Sequence, residues 1–152
     1  MARSVIHAVM QFYDALPAAA FPGGVRPPIF FGMAPVASAG QMIRPPYVVV
    51  TDDGITPDYQ TDGLSLETTS CRVEVYAEQL GVVDDIVTAI RFGGQPPAQR
   101  AGLDWAVLPL DPPYQPVQMS RTGEVRKEAG WSYQGHRVYL CRLYYEALIE
   151  LV

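Results

Sequence analysis

Histidine is nearly missing from this chain. Only His7 and His136 occur, far apart in sequence, which leaves too little imidazole for a His-based metal centre or a Ser-His-Asp unit. Lysine is scarcer still. Of the 11 basic residues only Lys127 is a lysine, so cationic contacts fall to arginines, whose planar guanidinium suits bidentate pairing. The two cysteines, Cys71 and Cys141, belong to no CxxC or metal-spaced set; each falls in an apolar strand pattern where a small buried thiol fits. No glycine loop of the GxxxxGKS/T or GxGxxG kind is present to cradle a phosphate. No apolar run approaches the ~20 residues that span a bilayer, and the opening residues lack the apolar core of a signal peptide. These absences lead to the expectation of a soluble chain, made inside the cell, that has no membrane partner, catalytic residue, cofactor or metal.

What is present describes one domain. A chain of 152 residues buries roughly two-thirds of its unfolded surface, and 49% apolar against 18% charged residues rules out wholesale disorder. The net charge of −5 has the wrong sign for gripping nucleic-acid phosphates. DNA would pass such a surface without being held.

Periodicity then divides the chain. Ile6, Val9, Met10, Tyr13 and Leu16 recur at three- and four-residue steps and predict an amphipathic helix with Ser4 as its N-cap, ended by Pro17. A Pro- and Gly-rich connection leads to a short strand over Ile29–Met33, and Ala34–Pro46 reads as a loop. Tyr47–Thr51 predicts a strand closed by turn chemistry at Asp52-Asp53-Gly54, with a second loop over Thr56–Gly63. Ser65–Ala77 alternates, with Cys71, Val73, Val75 and Ala77 on one face and Arg72, Glu74 and Tyr76 on the other. Val83, Ile86, Val87 and Ile90 stripe a second helix, with Asp84 and Asp85 expected in its first turn. Trp105–Leu110 predicts an edge strand, Asp111–Gly130 a long polar loop, and Tyr133–Ile149 a final alternating strand. The order predicts an α+β domain, a mainly antiparallel sheet of about four to five strands with two helices on one face and long interface loops.

Two groups of side chains invite a functional reading. Asp52, Asp53, Asp58 and Asp62 cluster near one another, but their spacing is not that of an EF-hand and Asp is an ordinary turn residue. A solvated loop is the favoured reading, or, in an oligomer, an acidic lining that keeps DNA from sticking to a channel. The aromatics are more numerous than one core easily hides. Interface roles are expected for Arg44, Tyr59, Tyr114, Arg121, Arg126, Lys127 and Trp131, against the alternative that the aromatics pair across the sheet.

A resemblance gives this arrangement a possible setting. Ile29-Phe30-Phe31-Gly32 with Ala34-Pro35, then Pro46-Tyr47-Val48-Val49-Val50, a loop with Pro57-Asp58-Tyr59, and a strand ending Val73-Glu74-Val75-Tyr76-Ala77 before the helix Val82–Arg91 resemble the tail-terminator and tail-completion proteins of long-tailed bacteriophages, the family of the lambda tail terminator. The segment Gln95–Gly130 departs from that pattern. The resemblance implies a hexameric ring in the virion neck, assembled in the host cytoplasm, that stops growth of the tail tube and docks the head, with DNA passing through its lumen. Its implied partners are further copies of itself, the tail tube protein and a head-completion or stopper protein. A head-closure or adaptor protein of the same neck is the nearest alternative, and a small ligand-binding or enzymatic α+β domain a more distant one. In the ring reading Ala34–Arg44, Thr56–Gly63 and Pro112–Glu128 are expected to gain order from neighbours.

Overall fold

The computed structural model describes residues 2–34, 43–58, 65–94, 101–110 and 115–151. Helix α1 (Ala2–Ala15) opens the chain, followed by short 3-10 turns at Ala18–Ala20 and Pro22–Gly24. Strands β1 (Ile29–Phe31), β2 (Tyr47–Asp58) and β3 (Ser65–Ala77) precede helix α2 (Leu80–Phe92). A 3-10 turn at Leu103–Trp105 then leads into β4 (Val107–Leu108), β5 (Val117–Tyr133) and β6 (His136–Leu151).

The six strands form one sheet in the order β1-β2-β3-β6-β5-β4. β1 runs parallel to β2, while the remaining pairings are antiparallel. The fold is α+β, but the sheet is mixed and six-stranded, which corrects the expected mainly antiparallel sheet of four to five. The difference arises at both ends. β1 reaches its neighbour through a long connection and so lies parallel, and β5 was hidden in a segment whose polar residues disguise a strand.

Both helices cover the same side of the sheet. Val5, Val9 and Tyr13 of α1, Leu16 just after it, and Val83, Ile86, Val87 and Ile90 of α2 are buried in one cluster with Val48, Val50, Val73, Val75, Leu143 and Tyr145. Each fully buried aliphatic or aromatic side chain there contributes about 1.5–3 kcal/mol relative to exposure. The alternation anticipated for β3 is observed, with Cys71, Val73, Val75 and Ala77 all in this core.

Several boundaries move. α1 begins at Ala2, so Ser4 lies inside the helix rather than at its cap, and α2 begins at Leu80, which puts Asp84 and Asp85 past its first turn. β1 ends at Phe31. β2 does not stop at the Asp52-Asp53-Gly54 turn signal: the register shifts there as a bulge and pairing with β3 continues to Asp58. The expected edge strand over Trp105–Leu110 shrinks to the two residues of β4.

The largest correction concerns Asp111–Gly130. From Val117 onward this segment is β5, a 17-residue strand joined to β6 by the two-residue turn Gln134-Gly135. Both turn residues have positive φ, 48° and 79°, as in a type I′ hairpin whose twist matches its strands. Residues 117–128 therefore have a partner within the chain. Residues 35–42, 59–64 and 111–114, which include parts of the other expected loops, lie outside the described residues.

Candidate functional site

The two faces of the sheet differ in what covers them. On the helix side, the small and apolar residues of β3 and β6 give way along β5 to charge. Register places Arg121 beside Tyr145, Glu124 beside Leu143 and Arg126 beside Cys141, so these three β5 side chains point toward α2. There they enter a connected set of ion pairs. Asp104 Oδ2 accepts from Arg91 Nε at 3.0 Å and Arg121 Nε at 3.1 Å, and the Tyr145 hydroxyl donates to its Oδ1 at 2.7 Å. Glu124 lies 3.7 Å from Arg91 and 3.4 Å from Arg126, and Arg126 also pairs with Asp84 of α2. Basic residues expected at an interface are thus engaged within the chain, where they lock β5 to α2 and to the 3-10 turn at Leu103–Trp105.

The helix-free face carries the aromatics. Tyr47 of β2 stacks on Tyr76 of β3 with ring centroids 5.0 Å apart, Tyr76 stacks on Trp131 of β5 at 6.0 Å, and Phe30 of β1 meets Tyr47 edge-on at 6.2 Å. Tyr47 and Tyr76 are register partners on β2 and β3, Phe30 of β1 lies diagonally from Tyr47, and Trp131, in the bulge between Glu128 and Ser132 of β5, reaches Tyr76 across the intervening β6. Beneath it Glu74 is buried and accepts from Arg142 Nε at 2.9 Å and the Tyr76 hydroxyl at 3.1 Å. Burial raises the Tyr76 and Tyr47 phenols, Tyr47 to about 12, and the Glu74 carboxylate adds to both shifts. Gly32, Met33, Tyr47, Val49, Glu74, Tyr76 and Trp131 line an open cleft of about 210 Å³ on this face.

No protein-family model and no curated protein matches this sequence.

The residues singled out from sequence fall in several places. Trp131 is half-buried in the aromatic row, and Lys127 is exposed on the same face, opposite Leu140. Arg44 is exposed beside a cleft lined by Pro45, Pro46, Ala77, Glu78, Gln79 and Val82. Asp53 pairs with Arg72 at 3.0 Å, and Asp52 accepts the Gly54 N–H at 2.8 Å, so both serve the β2 bulge. Asp58 ends β2. Tyr59, Asp62 and Tyr114 lie outside the described residues. Among those described, no three His, Cys, Asp or Glu side chains gather to hold a metal ion, and no helix is long and apolar enough to cross a membrane.

Sequence reasoning missed Asp104 and Glu74 as organising carboxylates. Asp104 gave no signal in the sequence, because its partners come from three distant segments. Glu74 was legible only as a polar position in the alternation of β3.

The sheet is also unfinished at both ends. Among the described residues β1 covers β2 at Val48–Val50, and β4 covers β5 at Val117 and Gln118, with one further backbone bond from the Met119 N–H to the Ala106 carbonyl. Among the described residues, Thr51–Asp58 of β2 and Ser120–Tyr133 of β5 have no strand on their outer side. Such edges present unpaired backbone donors and acceptors and are templates for another chain.

Proposed function

We propose that this protein is a structural subunit of a long-tailed bacteriophage virion, of the tail-terminator type. Copies close into a ring, hexameric as in the family it resembles, that ends the tail tube and offers a docking surface to a head-completion protein. DNA passes through its lumen without being held, in keeping with the negative net charge. The role involves no catalysis and no cofactor.

The observation that carries this reading is the edge at each end of the sheet that no strand covers among the described residues. A subunit with two different open edges can join two neighbours at once, the requirement for a closed ring. A monomer would ordinarily cover or shorten edges of this length.

Labelling the protein in purified virus particles and imaging the neck tests the role. A ring at the head-proximal end of the tail tube agrees with it. A ring inside the head portal would make the protein an adaptor or head-closure component, and absence from particles would overturn the virion role.

A further inference from the structure

The β5-β6 hairpin outgrows the sheet. β3 pairs with β6 from Leu151 back to Tyr139, whose partner Ala77 is the last residue of β3. Beyond that point, among the described residues, the hairpin has only its own two strands, with Ser132 opposite Arg137 and Tyr133 opposite His136. A two-stranded hairpin is marginally stable unless something holds it. The ladder is also broken where this tip meets the body: Ala129, Gly130 and Trp131 of β5 stand against Val138 of β6, between the pairs Glu128-Tyr139 and Ser132-Arg137. Gly130 is exposed at this bulge, and a Cβ there would meet nothing within 4 Å.

Among the described residues, two side chains tie the tip down. Trp131 stacks on Tyr76 across β6 and with it walls the cleft that Tyr47, Val49 and Glu74 also line. Val138 alternates with Leu140 and Arg142 onto the same helix-free face and is fully buried there. The Arg137-Glu128 ion pair at 3.4 Å is exposed and joins the two hairpin strands to each other, so it does not fasten the tip to the body. Tyr47, Val49 and Glu74 are each less than 10% exposed: the cleft's inner residues are nearly inaccessible while Trp131 is in place.

We propose that the hairpin tip, Trp131–Val138, is a lid over the cleft on the helix-free face. It is closed when Trp131 stacks on Tyr76 and opens about the bulge at Gly130 when that stack parts, uncovering Tyr47, Val49 and Glu74. The body of the sheet does not move with it. From Tyr139 onward β6 has β3 on one side, and β5 flanks it on the other, and Cys141, Leu143 and Tyr145 are held in the core beneath the helices. Opening therefore stops at Tyr139, because the unit with the fewest packed neighbours opens at the lowest free energy. One aromatic pair shifts such an equilibrium by about 2- to 10-fold, so Trp131 sets the balance between the two states and not the stability of the core. The lid is independent of the ring reading.

Hydrogen exchange on the full chain reads the opening in the parent protein. Amides of Trp131–Val138 are expected to exchange at least about tenfold faster than those of Leu140–Tyr145, and equal protection of the two stretches would overturn the proposal. A Val49→Cys variant reads the cleft. Its added thiol is expected to react with Ellman's reagent about 2- to 10-fold faster when Trp131→Ala is combined with it. Trp131→Phe should fall in between, and Cys71 and Cys141 should stay unlabelled throughout. An unchanged rate would make Trp131 a fixed wall of the cleft. Faster labelling of all three thiols, or loss of folding in Trp131→Ala, would make it part of the core. Each of these three results overturns the lid.

Discussion

The Tyr145 hydroxyl donates to Asp104 across a gap of 2.7 Å, joining the centre of β6 to the turn before β4. The same carboxylate takes the guanidinium groups of Arg91 and Arg121 on its other oxygen, so α2, β5, β6 and the 3-10 turn meet at one small acid. Removing it strands two cations. Asp104→Ala is expected to cost about 2–3 kcal/mol, below the value for a fully buried pair because Arg91 and Arg121 keep part of their surface in water. Tyr145→Phe, which removes one hydrogen bond and keeps the ring, is expected to cost about 1 kcal/mol. Urea unfolding of both variants checks the order and the sizes.

High pH should unfold the protein in a particular window. Burial pushes the Cys71 thiol up to about 12, with Asp53 and Asp52 adding to the shift, and raises Cys141 to about 11. Tyr47 rises to about 12 by burial, and Tyr145 rises above its ordinary value chiefly by burial and then by its bond to Asp104. Each group stays neutral in the fold while its counterpart in the unfolded chain ionises, near 9.0 for cysteine and 10.0 for tyrosine. Their contribution is therefore complete below pH 9 and is lost as pH rises toward 12, at about 1.4 kcal/mol per pH unit for each group passing through its window. Unfolding free energies measured from pH 8 upward should be flat and then fall. A stability that held to pH 12 would contradict the burial of these side chains.

The same two thiols should be silent to reagents. Cys71 and Cys141 are buried, and a raised pKa keeps each as the unreactive thiol. Ellman's reagent at pH 8 is expected to label neither in the folded protein and both in denaturant.

A pair of glycines separates packing from mere substitution. A Cβ on Gly102 would lie 2.0 Å from the backbone of Arg91, whereas one on Gly130 would meet nothing within 4 Å. Gly102→Ala should destabilise by at least about 1–3 kcal/mol, the cost of forcing atoms into filled space. Gly130→Ala should stay within about 0.5 kcal/mol of the parent. Thermal melts of the two variants give the contrast directly.

The apolar stripes of α1 and α2 and the alternation of β3 were legible because a core imposes its period on the residues that face it. β5 was not. From Arg121 to Glu128 its helix-side positions hold Arg121, Glu124 and Arg126, which meet Asp104, Arg91 and Asp84 rather than a hydrophobic layer, so ion pairing replaced the signal that marks a buried strand. The bulges at Thr122 and beyond Glu128 broke what alternation remained. β2 past Asp52 was lost for a similar reason, since Asp-Asp-Gly reads equally well as a turn and as the bulge it forms. The aromatic row was visible only in composition. Sequence showed a surplus of tyrosine and tryptophan, but which rings stack depends on the β2-β3 register and on the bulge that returns Trp131 to Tyr76.

The central claim, that two open edges make this chain a ring subunit, is most directly tested by native mass spectrometry of the full protein across a wide concentration range at low and high salt. One closed oligomer of fixed stoichiometry, six times the 16.7 kDa of a single chain, is the expected result. A monomer at every concentration, or a two-fold dimer that grows no further, would contradict it.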